Sequence, residues 1–199
     1  MLRWALIVAA VGLVTLAAVS LAFGLRARDR ASSTSAPYVA FEAGERPAPP
    51  IELQAATGAP FSLSSLRGRT VIVTFTDPHC RTFCPRESFV IDDALRALPA
   101  ARRPAVVAVS VDPTVQSARV LARQATRFKW LPQWRWAKGS HAALAKVWRA
   151  YGVTVVPTKG DIAHTELAYV VDARGDERAL LLWPFRARDL SRALAAASS

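Results

Sequence analysis

The chain contains two cysteines, four residues apart in Thr76-Asp77-Pro78-His79-Cys80-Arg81-Thr82-Phe83-Cys84-Pro85, directly after the apolar run Val71-Ile72-Val73-Thr74-Phe75. A strand that ends in a Cys-x3-Cys turn and feeds a helix offers both thiols at a helix N-terminus, where backbone N–H groups and the helix dipole favour thiolate. In a regular helix such a pair holds its Cβ atoms about 5 to 6 Å apart, against about 3.8 Å in a relaxed disulfide. The pair can therefore close a disulfide only if the turn departs from helix, and the bond would be reducible. A soft ion demands less approach. Cu(I) or Zn(II) accepts two thiolates, although two sulfurs rarely complete a site.

A third donor has to be sought elsewhere. Met1 is the only methionine, so a thioether site is not open to the folded domain. His79 is adjacent to Cys80, and neighbours at a strand end point apart, so it reads as tuning the thiol or the access to it. His141 follows Ser140, an N-cap residue type, and reads as a solvent-facing first helical residue. His164 lies in the polar segment Lys159-Gly160-Asp161-Ile162-Ala163-His164-Thr165 before the strand-like Leu167-Ala168-Tyr169-Val170-Val171, and taken alone it reads as a surface loop residue. Asp77 and Asp161 are the carboxylates nearest by sequence to these loops. They are available to Cu(II), and otherwise read as turn residues bonding their own backbone.

The elements that must position these residues follow from the pattern. Strand candidates at 70–76, 105–111, 134–137, 167–172 and 179–183 alternate with helix candidates at 85–98, 115–129, 141–150 and 187–197, which predicts an α/β fold around a central sheet. Asp172-Ala173-Arg174-Gly175-Asp176 reads as the hairpin turn between the last two strands. Ahead of the domain, Trp4 to Leu25 is uncharged and apolar for 22 residues, long enough to cross a bilayer. Residues 1–25 thus read as an anchor or signal segment, with retention as an anchor favoured, 26–50 as a Ser/Pro-rich tether, and 51–199 as the domain. Arg26, Arg28 and Arg30 after the span pull the domain towards the cytoplasm by the positive-inside rule, whereas a convertible cysteine pair suits an extracytoplasmic compartment.

The net charge is +11, and residues 102–149 carry ten Lys or Arg against one acid, Asp112. On the predicted second helix Arg119, Arg123 and Arg127 form a basic face opposite Leu121, Ala125 and Phe128. This face reads as solvated, or as docking to an acidic partner surface or anionic lipid. The aromatic and basic segment Phe128 to Lys138 superficially suits single-stranded nucleic acid, but Trp134 and Trp136 have strand spacing and read as buried against a helix. No phosphate-cradling loop, dinucleotide glycine pattern or His-Glu-x2-His zinc signature is present in the sequence, and no nucleic-acid partner is expected.

From Ile51 onwards the chain resembles the Sco/SenC family, thioredoxin-like copper proteins of cytochrome c oxidase assembly. The resemblance rests on Phe61 to Arg69, Cys80-x3-Cys84-Pro85, Ser110-Val111-Asp112-Pro113, Tyr151-Gly152-Val153, and His164-Thr165 with Tyr169 to Gly175, in that order. It implies a thioredoxin-like fold with a central mixed sheet flanked by helices. It also implies one copper per chain, Cu(I) and in some states Cu(II), on Cys80, Cys84 and His164. The implied role is a metallochaperone on the extracytoplasmic face, with a copper donor protein and the copper-centre subunit of an oxidase as partners. The alternative is a membrane-anchored thiol-disulfide oxidoreductase in which Cys80 attacks and Cys84 resolves. A thioredoxin-like peroxidase is disfavoured because its Pro-x3-Thr-x2-Cys pattern is absent. A copper sensor or buffer would need the same ligands as a chaperone.

Overall fold

The computed structural model describes residues 38–158 and 161–198. Two strands, β4 (Val71–Thr76) and β5 (Ala105–Ser110), are buried at every position and pair in parallel. Their β-branched composition suits a strand covered on both faces. Around them lie β1 (Tyr38–Ala40), β2 (Glu52–Ala55), β3 (Pro60–Ser62), β6 (Trp134–Lys138), β9 (Leu167–Val171) and β10 (Glu177–Leu182), in the order β1-β10-β9-β4-β5-β6-β2-β3. β6 is parallel to β5 and the remaining pairs are antiparallel, so the sheet is mixed, as expected. β7 (Val155–Thr158) and β8 (Asp161–His164) form a separate antiparallel ribbon.

Among the described residues four α-helices cover the sheet: α1 (Phe83–Arg96), α2 (Ala118–Arg127), α3 (His141–Ala150) and α4 (Ala187–Ala197). Alternation along the strands divides the core in two. Ile72, Val106 and Val170 pack with Ile91 and Leu95 of α1, Leu121 of α2 and Leu190 of α4. Val71, Val73, Phe75 and Val109 pack on the other side with Leu144, Val147 and Trp148 of α3. Ser140 caps α3 by accepting from the Ala143 N–H at 3.3 Å, and Gly152, at φ +67°, closes it in the left-handed region that favours glycine. The hairpin between β9 and β10 is held by Asp172, whose Oδ1 accepts from the N–H groups of Arg174 and Asp176.

Two expectations shift. Tyr38–Ala40 and Pro47 lie in the stretch read as tether, yet β1 pairs with β10 and Pro47 bridges to Asp176, so the sheet begins at Tyr38. A three-residue strand with two exposed residues carries no sequence signal; pairing to the β10 edge makes it. His164 lies at the end of β8 rather than in a loop, because Val155 to Thr158 fold back to pair with it. No helix among the described residues is long and apolar enough to cross a membrane, and the span from Trp4 to Leu25 lies outside them.

Candidate metal centre

β4 carries the chain to Asp77, and a turn in which the Cys80 N–H donates to the Asp77 carbonyl at 3.1 Å leads into α1. Cys80 therefore precedes the helix, while Cys84 is its second residue. Thr82, the N-cap, makes no side-chain capping bond. The sulfur of Cys80 takes that part, accepting from the Cys84 N–H at 3.4 Å, with the Thr82 hydroxyl 3.8 Å away. Both thiols are buried and free of a disulfide. The hydrogen bond from the Cys84 side chain, joined by backbone N–H groups and the Thr82 hydroxyl, pulls Cys80 down to about 5 against the cost of burial. Cys84 is the donor of that pair and is buried, so its thiol is pushed up and stays protonated. With Cys80 in the turn and Cys84 in the helix, the pair comprises a thiolate and a thiol of opposite character.

The third donor arrives from the far end of the sheet. His164 Nε2 stands 3.8 Å from Cys84 Sγ. Its Nδ1 is 3.1 Å from the Thr165 carbonyl, which can only accept, so Nδ1 carries the proton and Nε2 presents its lone pair. The ribbon fixes this pose, with Val155 paired to His164 and the Thr165 N–H donating to the Thr154 carbonyl. Two donors each about 2.0 to 2.3 Å from one ion stand about 3.8 Å apart when they subtend about 120° at it. The Cys84–His164 spacing therefore fits a common ion, and the soft thiolates with one neutral imidazole suit Cu(I).

The carboxylate in this group is not one of the two singled out by sequence. Donor atoms of Cys84, His164 and Glu166 lie within 4.8 Å of one another, and Cys80, beside Cys84, stands outside that limit. Glu166 is two residues beyond His164, and in extended backbone i and i+2 share a face, a signal the sequence does carry. Burial, and then the negative charge of Cys80, push its carboxyl up to about 7. Asp77 instead joins His79 and Asp112 in a second group: Asp77 Oδ1 accepts from the His79 N–H at 2.7 Å, and His79 Nδ1 faces Asp112 Oδ2 at 3.5 Å. Burial is the main cause that raises Asp77 to about 6. His79 thus flanks the thiols, as its position suggests, while His141 is exposed on α3 and belongs to neither group. The side chain of Asp161 lies outside the described residues.

Behind the thiols, Glu87 is fully buried one turn after Cys84, accepts from the Thr74 hydroxyl at 2.7 Å, and is raised by burial to about 8. Phe128, at the end of α2, packs on both cysteines and leads to Trp130, which stacks on Trp134 at 4.2 Å. In front, an open cavity of about 500 Å³ is lined by Cys80, Phe83, His164, Glu166, Leu182 and Trp183 among others. Phe83 and Leu182 are exposed large apolar residues at 49% and 47% accessibility, so its mouth is greasy.

Fold and site together define a thioredoxin-like dithiol protein whose second cysteine is met by a histidine from a distant ribbon. The chain belongs to the SCO1/SenC family, whose sequence profile matches residues 42–197. Among solved structures it is similar to copper-bound ScoI of Bradyrhizobium japonicum, at 26% identity over 76% of this chain and 99% of that one, with a TM-score of 0.65. It is also similar to BsSco, described as a Sco-family cytochrome c oxidase assembly protein with a disulfide switch, at 20% identity over 80% and 98% with a TM-score of 0.68. The thioredoxin domain of a Bacteroides vulgatus thiol-disulfide oxidoreductase shares the fold at 19% identity over 78% and 97%, with a TM-score of 0.57. A search of curated proteins gave no match.

Proposed function

We propose that this protein is a copper metallochaperone that takes one copper from a donor protein and passes it to the dinuclear copper centre of a cytochrome c oxidase subunit. The observation that carries the reading is His164 Nε2 at 3.8 Å from Cys84 Sγ, across 80 residues of sequence. Family membership and the copper-bound Bradyrhizobium relative support the choice of metal. Copper is the cargo. Cys80, already a thiolate, makes the first bond to it; Cys84 gives up its proton as the ion binds; and the Nδ1–H bond to Thr165 holds the ring of His164 so that Nε2 completes the set. The open cavity leaves a direction from which an acceptor's ligands can displace them one at a time.

The apolar mouth at Phe83 and Leu182 would receive the partner. The exposed Arg119, Arg123 and Arg127 of α2, whose end packs on the thiols, would steer an acidic partner surface towards it. The apolar segment from Trp4 to Leu25 would hold the domain at the membrane, on its extracytoplasmic face.

An anaerobic copper titration of the reduced full-length chain tests the reading. One tight copper is expected, weakened by His164→Ala and abolished by Cys80→Ser with Cys84→Ser. No binding, or binding indifferent to His164, overturns it.

A second reading has its own observation, a Cys80 thiolate that opens on the cavity beside a protonated Cys84. In it, Cys80 attacks a partner's disulfide and displaces one partner thiolate. Cys84, on losing its proton, then attacks Cys80 in the mixed disulfide, which leaves the partner as a dithiol and this chain with a Cys80–Cys84 disulfide. A thiol reductant must restore the pair. That disulfide would also abolish the metal site, so the two activities are mutually exclusive states of one centre.

A further inference from the structure

Glu166 sits at the metal centre without a structural task for its carboxylate. Its backbone carbonyl is engaged by the Trp183 N–H at 3.1 Å, which pins the residue just before β9. The carboxylate makes no hydrogen bond or ion pair among the described residues, although it is half-buried and lines the cavity beside His164. An oxygen of it lies within 4.8 Å of both the Cys84 sulfur and a ring nitrogen of His164. Three donor atoms of soft and hard character thus converge at the cavity edge, and of the three the carboxylate alone has no partner among the described residues.

We propose that Glu166 is the fourth donor of this centre, a carboxylate oxygen that joins the dithiol and His164 when the ion is Cu(II). The inference rests on the copper reading and deepens it. Two thiolates and an imidazole alone suit soft, three-coordinate Cu(I). A carboxylate is a hard donor, suited to the higher charge and the tetragonal preference of Cu(II). With it the ligands carry three negative charges, which favours a doubly over a singly charged ion in a half-buried site by Coulomb attraction. Its placement two residues after His164 makes the same short segment supply both additions to the dithiol.

The test compares the full-length wild type with Glu166→Gln and Glu166→Asp, loaded with Cu(II) and separately, under anaerobic reducing conditions, with Cu(I). The expected result is Cu(II) affinity lowered about tenfold or more in Glu166→Gln, with a changed Cu(II) electron paramagnetic resonance spectrum and Cu(I) affinity within about threefold of wild type. Glu166→Asp, which keeps the charge but shortens the reach, is expected to fall between the two. An unchanged Cu(II) spectrum and affinity overturns the proposal, as does an equal loss of both oxidation states, which would mark Glu166 as a positioning residue for His164. A wild type that binds neither ion sinks the copper reading itself, an outcome distinct from either.

Discussion

At the scale of single residues, the two cysteines behave as unlike groups. Cys80 precedes α1 and gathers donors, including the Cys84 N–H, so its thiolate is stabilised down to about 5; Cys84 is turned inward and supplies a donor instead. Only Cys80 lines the cavity. In the reduced, metal-free protein, iodoacetamide should therefore modify Cys80 alone, at a rate nearly flat from pH 6 to 8, where an ordinary thiol would accelerate by about a hundredfold. The sign follows from the shift: a lowered thiol is already ionised at pH 6 and gains little from more base. Peptide mapping with a pH series checks it. Label on Cys84, or a rate that climbs steeply above pH 7, would mean that the thiolate is not where the hydrogen bonds place it. The cysteine pair was legible from spacing alone, and His164 became legible through the ordered resemblance. Glu166 was not singled out, although its offset of two from His164 was readable, because that offset marks a shared face only once His164 is known to end a strand rather than to sit in a loop.

Between elements, the site depends on how α1 is held over the sheet. Asp92 is buried on α1 and accepts from the Trp134 indole N–H at 2.7 Å and from the Leu131 N–H at 3.2 Å. It thereby joins the helix that carries Cys84 to β6 and to the aromatic stack behind Phe128. Replacement by Ala leaves two donors without an acceptor and should cost about 2 to 4 kcal/mol, whereas Asp92→Asn keeps an acceptor and should cost about 1 kcal/mol. Urea denaturation of both variants checks the difference; equal losses would show that the carboxylate's charge, rather than the bonds, makes the contact. Trp134 and Trp136 illustrate what pattern can yield, since their period of two placed them on one face and the structure buries both. The short strands β1, β2, β3, β7 and β8 were not visible, because three or four residues with mixed exposure take their form from a partner edge rather than from their own side chains.

At the scale of the whole molecule, the proposed site chemistry bears on where the domain would reside. Two free thiols that can close to a disulfide or hold copper are a working switch only in a compartment where both states can form. Oxidase copper centres that receive the metal outside the cytoplasm would require the same side. Against this stands the charge pattern, since Arg26, Arg28 and Arg30 follow the apolar segment and only Arg3 precedes it. Each arginine translocated is unfavourable by the positive-inside rule, yet a short N-terminal segment can be exported against such a bias when the domain behind it folds outside. The proposed site chemistry favours the outer face, because a cytoplasmic domain would be held as a dithiol and the proposed disulfide state would be lost. A phosphatase active only outside the cytoplasm, fused after Ser199, is therefore expected to be active, and a cytoplasmic reporter at the same position silent. The fusion should also sediment with membranes, through residues 4–25. The reverse pattern would place the thiols in a reducing compartment and remove the oxidase as the recipient of the copper, while leaving the ligand geometry at Cys84 and His164 as it stands.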